Sequence, residues 1–375
     1  WEMRPTKAII NLSRFHMNIK QLRSLLNPNT DFMAVVKANA YGHGAIKMAE
    51  QAVQAGAAWL GVALPEEGAQ LRESGIELPI LVLGDITPEQ CKTTLQYNLI
   101  QGVPSIETAR YLNETAKQYG KKAKVHLKLD TGMGRIGFRT GEELHMIANE
   151  LPSMSGIQVE GVFTHFATAD EADSSYTREQ MKSMDRMLLI LRESGIKVNW
   201  IHAANSAGVF QFQDANYNLV RCGISIYGYY PSLYIKEQAK IELSPVLQWE
   251  SRIAYVKSIC SGETVSYGRA YTANGNIRVA TLPVGYADGY PRILSNKSSV
   301  LVCGKRAPVI GRVCMDQLMI DITNIPDANV GSEVVLIGEQ GSEQITADEL
   351  AHLSGTISYE ILTSISNRVP KIYQY

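Results

Sequence analysis

Long apolar runs are missing from this 375-residue chain, and none approaches the roughly 20 residues that a membrane-crossing helix needs. A membrane partner is therefore not expected. Cysteine is scarce: Cys91, Cys222, Cys260, Cys303 and Cys314 are five in number, widely spaced and without a C-x-x-C pair. That pattern argues against a disulfide framework and a cysteine zinc site, and it fits a reducing compartment. An excess of one charge is also absent. The 36 basic residues nearly cancel the 37 acidic ones, for a net charge of -1, and no Lys/Arg-rich run stands out. Nucleic acid is accordingly not expected as a partner. The seven histidines (His16, His43, His126, His145, His165, His202, His352) show neither H-E-x-x-H nor a paired ligand spacing, so no metal is expected. Low-complexity tracts and fixed-length repeats are lacking as well. Glu2, Arg4 and Lys7 lie near the start with no apolar segment behind them, which predicts a cytoplasmic location, and Met3 is expected to be the natural start.

What is present is a chain 45% apolar and 19% charged, able to bury large cores and long enough for two domains. Up to about residue 230, short apolar runs bounded by Gly, Pro or Asn alternate with helical patterns. Eight strands are expected: Phe32–Val36, Trp59–Ala63, Ile80–Leu83, Leu99–Val103, Lys124–Leu129, Val159–His165, Asn199–Ala203 and Asn218–Arg221. Eight such units favour an α/β fold of the (β/α)8 barrel type over an open sheet, with chemistry at the C-terminal strand ends. Lys37, Asp130, His165, Ala203 and Arg221 fall at or just beyond those ends.

After Pro245 the period becomes two. Leu247, Trp249, Ile253 and Tyr255 alternate with Gln248, Glu250 and Arg252, as in one half-buried strand. Further β-rich runs at Ile277–Val284, Ser299–Cys303, Leu318–Ile322 and Glu333–Ile337 predict a mainly β second domain. Thr346-Ala-Asp-Glu349 has capping-box spacing and predicts a helix start. The expected division is a barrel over 12–238 and a mainly β domain over 239–375, which the strand in 1–11 joins.

Lys37 ends an apolar run, in Phe32-Met-Ala-Val-Val-Lys37-Ala-Asn-Ala-Tyr41-Gly-His-Gly44, where strand gives way to a Gly-punctuated loop. A lysine there either snorkels past the core or stands desolvated as a reactive amine. Arg221 is either a surface ion-pair partner or a fixed donor that hardly transfers its proton. Asn205 and Ser206 read equally as a helix N-cap or as part of an anion site with the Gly223 and Ile224 amides. Gly132-x-Gly134-x-x-Gly137 fits a dinucleotide fingerprint, but it follows a fifth strand, holds Arg135 inside the loop and precedes a helix only beyond Gly141. The dinucleotide reading is rejected on those grounds.

The segment around Lys37 resembles the cofactor-lysine segment of the alanine racemases, in which the lysine holds pyridoxal 5′-phosphate (PLP) as a Schiff base. Leu129-Asp-Thr-Gly-Met-Gly-Arg135 and Ser266-Tyr267-Gly-Arg269 are similar to two further family segments, and the matches run in family order over nearly the whole chain. The resemblance implies these roles: Lys37 and Tyr267 as bases on opposite faces of the substrate carbon; Tyr41, Arg135, His165, Asn205, Ser206, Arg221, Gly223, Ile224 and Tyr359 around PLP; Arg135 and the Met315 backbone at the substrate carboxylate; and Tyr286 on the way in. It also implies a homodimer in which Tyr267 and Met315 serve the partner's site, and a Lys128 carbamylated in some family members.

Racemisation requires an acid/base on each face of a planar intermediate, and one lysine serves only one face. An unperturbed tyrosine, pKa about 10, is a base short by about 4 kcal/mol at pH 7. Positive charge from His165 and Arg221 is expected to lower that deficit. Arg221 against the ring nitrogen keeps the ring a weak electron sink, which suits a carbanion that must be reprotonated quickly. The reading is an isomerase that interconverts L- and D-alanine for peptidoglycan. Its alternatives are a broader amino-acid racemase, a PLP-dependent amino-acid decarboxylase and a non-enzymatic PLP carrier.

Overall fold

A computed structural model describes residues 4–375; the expectation about Met3, and Glu2 with it, lies outside the described residues. Among the described residues, no helix is long and apolar enough to cross a membrane. The chain divides into two compact units. One runs over Phe15–Ala40 and Ala45–Ser244; the other takes the described residues up to Arg14, then Tyr41–Gly44 and Pro245–Tyr375.

The first unit is a (β/α)8 barrel. After β1 (Lys7–Asn11), which belongs to the other unit, come β2 (Asp31–Val35), β3 (Trp59–Val62), β4 (Ile80–Val82), β5 (Ile100–Val103), β6 (Ala123–Lys128), β7 (Ile157–Phe163), β8 (Trp200–His202) and β9 (Leu219–Cys222). All eight barrel strands pair in parallel, in the order β8-β7-β6-β5-β4-β3-β2-β9, and each lies within two residues of its expected position. Between β8 and β9 the ladder is replaced by a side chain. Asn218 accepts from the Ile201 amide at 2.8 Å and donates to the Asn199 carbonyl at 2.7 Å, which bridges the seam. Met33, Trp59, Leu81, Ile100 and Leu219 pack into one cluster inside the barrel. Burial on both faces explains why these strands read as continuous apolar runs rather than alternating ones.

In the second unit β1 pairs antiparallel with β10 (Leu247–Arg252) and parallel with Lys371–Gln374 near the C-terminus. The expected single strand through Tyr255 is corrected. It breaks after Arg252, and β11 (Tyr255–Ile259) joins a different sheet, paired with Ile277–Leu282. A register shift between Trp249 and Glu250 disturbs the alternation, so Glu250 is buried and Tyr255 is exposed. Bulges commonly end or redirect pairing in this way. The helix predicted from the capping box is present over Ala347–Ser354, with the Thr346 hydroxyl accepting from the Glu349 amide at 3.0 Å.

Candidate active site

The site grows from the turn that follows β2. Lys37 is half-buried, and behind it Ala38, Asn39, Ala40 and Tyr41 all take left-handed backbone, with φ between 52° and 54°. The expected Gly-punctuated loop is present at Gly42 (φ 84°) and Gly44 (φ 98°), but it is preceded by a left-handed turn of residues that all carry a Cβ, which was not expected. Such backbone costs roughly 1–2 kcal/mol per residue, so other contacts must hold it. The Glu67 carboxylate accepts from the Ala38 amide at 2.7 Å and from the Ala63 amide at 2.7 Å, tying the turn to the end of β3. Asn39 Oδ1 accepts from the Ala45 amide at 2.8 Å. The pKa of the Lys37 amine lies below its ordinary value, through burial first and then the charge of Arg135, with Glu67 opposing and Arg221 adding to the shift.

Arg221 lies within β9, buried, rather than beyond its end. Its Nη1 donates to His202 Nδ1 at 2.8 Å and to the His202 carbonyl at 3.1 Å. Nη2 donates to the Thr164 and Ala203 carbonyls at 2.7 and 3.0 Å, with His165 Nδ1 at 3.4 Å. Arginine carries five N–H donors, and the terminal four are used here, so among the described residues Nε–H is the one left for a ligand. Burial pushes the Arg221 pKa down to about 9, still a cation at neutral pH. Lys128 is buried and donates to the Leu129 carbonyl at 2.8 Å; burial and then Arg221 push its pKa down to about 7.

His165 is corrected as a source of positive charge. Desolvation, then Arg221, Arg135, Lys128 and Lys37, hold it well below its ordinary pKa, so its imidazole is neutral at pH 7. The Asn205/Ser206 alternatives resolve into two jobs. Asn205 caps the helix Ser206–Gln211 through Oδ1, which accepts from the Gly208 amide at 3.0 Å. Ser206 Oγ accepts from the Gly223 amide at 3.0 Å, so the Gly223 N–H is already engaged and is corrected as a free anion donor. The Ser206 hydroxyl hydrogen and the amide of Ile224, first in a 3-10 turn, are the donors that remain on this wall.

The loop after β6 is ordered by Asp130, whose Oδ1 accepts from the Gly132 and Gly134 amides at 3.1 and 2.9 Å. The chain returns to pair Phe138 with Lys128 and Asp130, passing so close at Gly137 (φ +127°) that a Cβ there would lie 2.8 Å from the Asp130 nitrogen. Arg135 is exposed at the head of this loop, and the next helix starts at Gly141. A phosphate-facing helix start is thus missing, as the rejection of the dinucleotide reading expects. The barrel wall therefore combines Lys37, Lys128, Arg135 and Arg221 against Glu67 and Asp130. The donors left over on that wall fit a small anionic cofactor with a basic ring nitrogen.

The second unit carries the other predicted residues. Tyr267 and Met315, 70% and 53% exposed, line one open cleft of about 650 Å³ together with Lys257, Ser266 and Cys314. Tyr267 stands between Ser266 and Arg269, both at positive φ. Ser266 Oγ donates to the Arg312 carbonyl at 2.7 Å. Tyr286 is exposed on a turn stitched to the Met315 loop, its amide donating to the Cys314 carbonyl and that of Ala287 to the Met315 carbonyl, each at 3.0 Å. Buried Asp288 at the end of this turn pairs with Arg4 at 2.7 Å. Tyr41 and Tyr359 meet with ring centroids 6.0 Å apart. Sequence reasoning did not find Glu67, Asn39, Thr164 or the partners of His202. Glu67 had a signal: it is the third residue of a helix opened by Pro65, the place for a carboxylate that caps backbone amides.

Residues 10–231 match the family model for the alanine racemase N-terminal domain, and residues 246–373 match the one for its C-terminal domain. An alanine racemase of Halothermothrix orenii is 49% identical over 371 residues, covering 99% of this chain and 97% of that protein. The solved alanine racemase of Clostridium difficile 630 superposes with a TM-score of 0.94 at 41% identity, covering 99% of this chain and 96% of that one. A histidine racemase of Leuconostoc mesenteroides subsp. sake gives 0.91 at 30% identity, covering 100% and 99%.

Proposed function

This chain belongs to the alanine racemase family, and from that premise we propose that it is a PLP-dependent isomerase interconverting L- and D-alanine. The observation that carries the reading is Lys37, whose half-buried amine is kept below its ordinary pKa and near two guanidinium groups at the end of β2. When bound, PLP supplies the electron sink that makes a substrate Cα–H acidic.

The remaining work belongs to side chains. Lys37 Nζ is the proton carrier on one face of Cα, because a depressed pKa leaves a larger neutral fraction of amine at pH 7. Tyr267 Oη is assigned to the opposite face, contributed with Met315 by a second copy of the chain. Its exposed setting in an open cleft supports that assignment. Arg221 Nε–H is assigned to the ring nitrogen. A guanidinium donates there without giving up its proton, which limits how long negative charge persists at Cα and favours return of a proton. Ser206 and the Ile224 amide are assigned to the phosphate, joined by Tyr41 and Tyr359, while His165 completes the wall as a neutral imidazole. Arg135 and the Met315 backbone are assigned to the substrate carboxylate, and Tyr286 to the way in. Lys128, with a pKa of about 7, has enough free amine to form a carbamate with carbon dioxide, and the new negative charge would orient Arg135. Intact mass of gently handled protein tests that step.

Residues 12–238 are proposed as the PLP-holding barrel and 239–375 with 1–11 as the domain that presents Tyr267, in a cytoplasmic enzyme supplying D-alanine for peptidoglycan. A visible absorption band that borohydride fixes to Lys37, together with formation of D-alanine from L-alanine, is the expected result. A protein that stays colourless with PLP overturns the reading. A broader racemase is the second reading, favoured by the histidine racemase that shares this fold at 30% identity. Relative rates with L-alanine, L-serine and L-lysine rank the two.

A further inference from the structure

Arg221 can serve a ring nitrogen only if its guanidinium plane is held at one angle, and among the described residues the side chain that holds it at 2.8 Å is His202. His202 in turn has a partner the proposed reaction does not use. Its Nε2 lies 2.8 Å from Nδ1 of His126 on β6, and both rings are fully buried. We infer that His126 is a positioning residue for Arg221, acting through His202 by locking it in the Nε2–H tautomer that leaves Nδ1 free to accept from the guanidinium.

The order of protons is forced from one end. Arginine has donors and no acceptor, so His202 Nδ1 must carry a lone pair. A neutral ring then has its hydrogen on Nε2, and at 2.8 Å that hydrogen requires an acceptor on His126 Nδ1. His126 is left with its own hydrogen on Nε2, an atom with no hydrogen-bond partner among the described residues, in a ring set against Trp59 at 5.4 Å between centroids. Reversing the chain would place two donors head to head against Arg221. Burial and the charge of Arg221 favour neutral rings throughout, depressing His126 to about 3 and His202 well below its ordinary value.

The barrel makes room for this arrangement. At Gly161 on β7 a Cβ would lie 2.7–2.8 Å from three atoms of the His126 ring, so that space exists only because the residue is glycine. The register between β6 and β7 shifts at Val125/His126. Phe163 stacks flat on His202, with centroids 4.9 Å apart and planes 2° from parallel, and so fixes the ring plane. A chain of hydrogen bonds linked in this way from His126 to Arg221 favours one geometry, whereas loss of its first member leaves His202 Nε2–H without its acceptor.

The inference rests on the assignment of Arg221 Nε–H to the ring nitrogen, and its test separates the two. Long-range 1H–15N spectra of the full-length, 15N-histidine-labelled protein read the tautomers with or without PLP. His126 and His202, assigned by substitution, are expected to be neutral Nε2–H rings that do not titrate between pH 6 and 9; an Nδ1–H or imidazolium His202 overturns the proposal. In the PLP-loaded enzyme, His126→Phe is expected to mix the His202 tautomers, shift the visible band and lower kcat about tenfold with little change in KM. His126→Asn places an acceptor oxygen where Nδ1 was, and it is expected to restore the band and bring kcat within about threefold of the parent. Equal losses in the two variants, or an unmoved His202 signature in His126→Phe, overturn it. If His126→Phe does not fold, the parent spectra and His126→Asn still decide. A protein with the expected tautomers that binds no PLP sinks the functional reading and leaves the proton order standing.

Discussion

The barrel and the C-terminal unit hold their chemical groups in opposite ways. In the barrel, Arg221, Lys128 and Ser206 are almost wholly buried; carbonyls and an imidazole fix the terminal atoms of the first two, and the Gly223 amide donates to Ser206 Oγ. In the C-terminal unit, Tyr267 and Met315 are mostly exposed and share an open cleft. The first arrangement is pre-organised, since the cost of burying charge is already met by hydrogen bonds formed on folding. The second leaves its side chains open to solvent, with few fixed partners of their own. In the proposed dimer, a reaction that draws on both would depend on folding for one face of the substrate and on association for the other.

The sharpest break in that comparison is Tyr267→Phe. Loss of one of two opposed bases should lower racemisation by about 10³-fold while PLP still binds. Exchange of the substrate α-proton with deuterium on the Lys37 face should survive without inversion. Loss of both signals together, measured by NMR and chiral chromatography, would place the tyrosine elsewhere.

Acid should damage the barrel first. His126, His165 and His202 have folded pKa values depressed below the unfolded value near 6.5. As pH falls through 6.5, the unfolded chain binds protons that the folded chain refuses. Stability is therefore full above about pH 7 and declines below 6.5, with a limiting slope of about 4 kcal/mol per pH unit for three protons. Urea midpoints between pH 7.5 and 5.5 check the sign.

Glu67→Gln tests the lysine turn. It removes one of two carboxylate oxygens that accept from Ala38, Ala63 and Leu64 amides, at an expected cost of about 2 kcal/mol. Because Glu67 raises the Lys37 pKa, its neutralisation should also move the acid limb of kcat/KM to lower pH. A limb that moves the other way contradicts the assignment. The smallest effect is expected for Thr346→Ala, which loses a helix cap in the C-terminal unit at about 1 kcal/mol, seen as a lower melting temperature with activity per folded molecule unchanged.

The eight barrel strands were legible because both their faces are buried, so each is an apolar run punctuated by turn residues. The helix at Ala347–Ser354 was legible for a local reason too, since its cap and first turn lie within four residues. The end of β10 was not, because a one-residue register shift leaves no mark in composition and yet turns Glu250 inward. The left-handed turn at 38–41 was hidden for a related reason. Nothing in Ala-Asn-Ala-Tyr favours positive φ strongly enough, and its support comes from Glu67, far along the chain.

From its residues alone this chain determined its repeating β/α order, its shift to two-residue periodicity after Pro245, and the kinds of groups available for amine and proton chemistry. Tertiary structure decided which of those groups are charged and which are already engaged: His165 neutral, the Gly223 amide bound to Ser206, and Arg221 with Nε–H to spare. The reason is physical. Periodicity and capping act over a few residues, whereas desolvation and hydrogen-bond satisfaction depend on atoms that only folding brings within 3 Å.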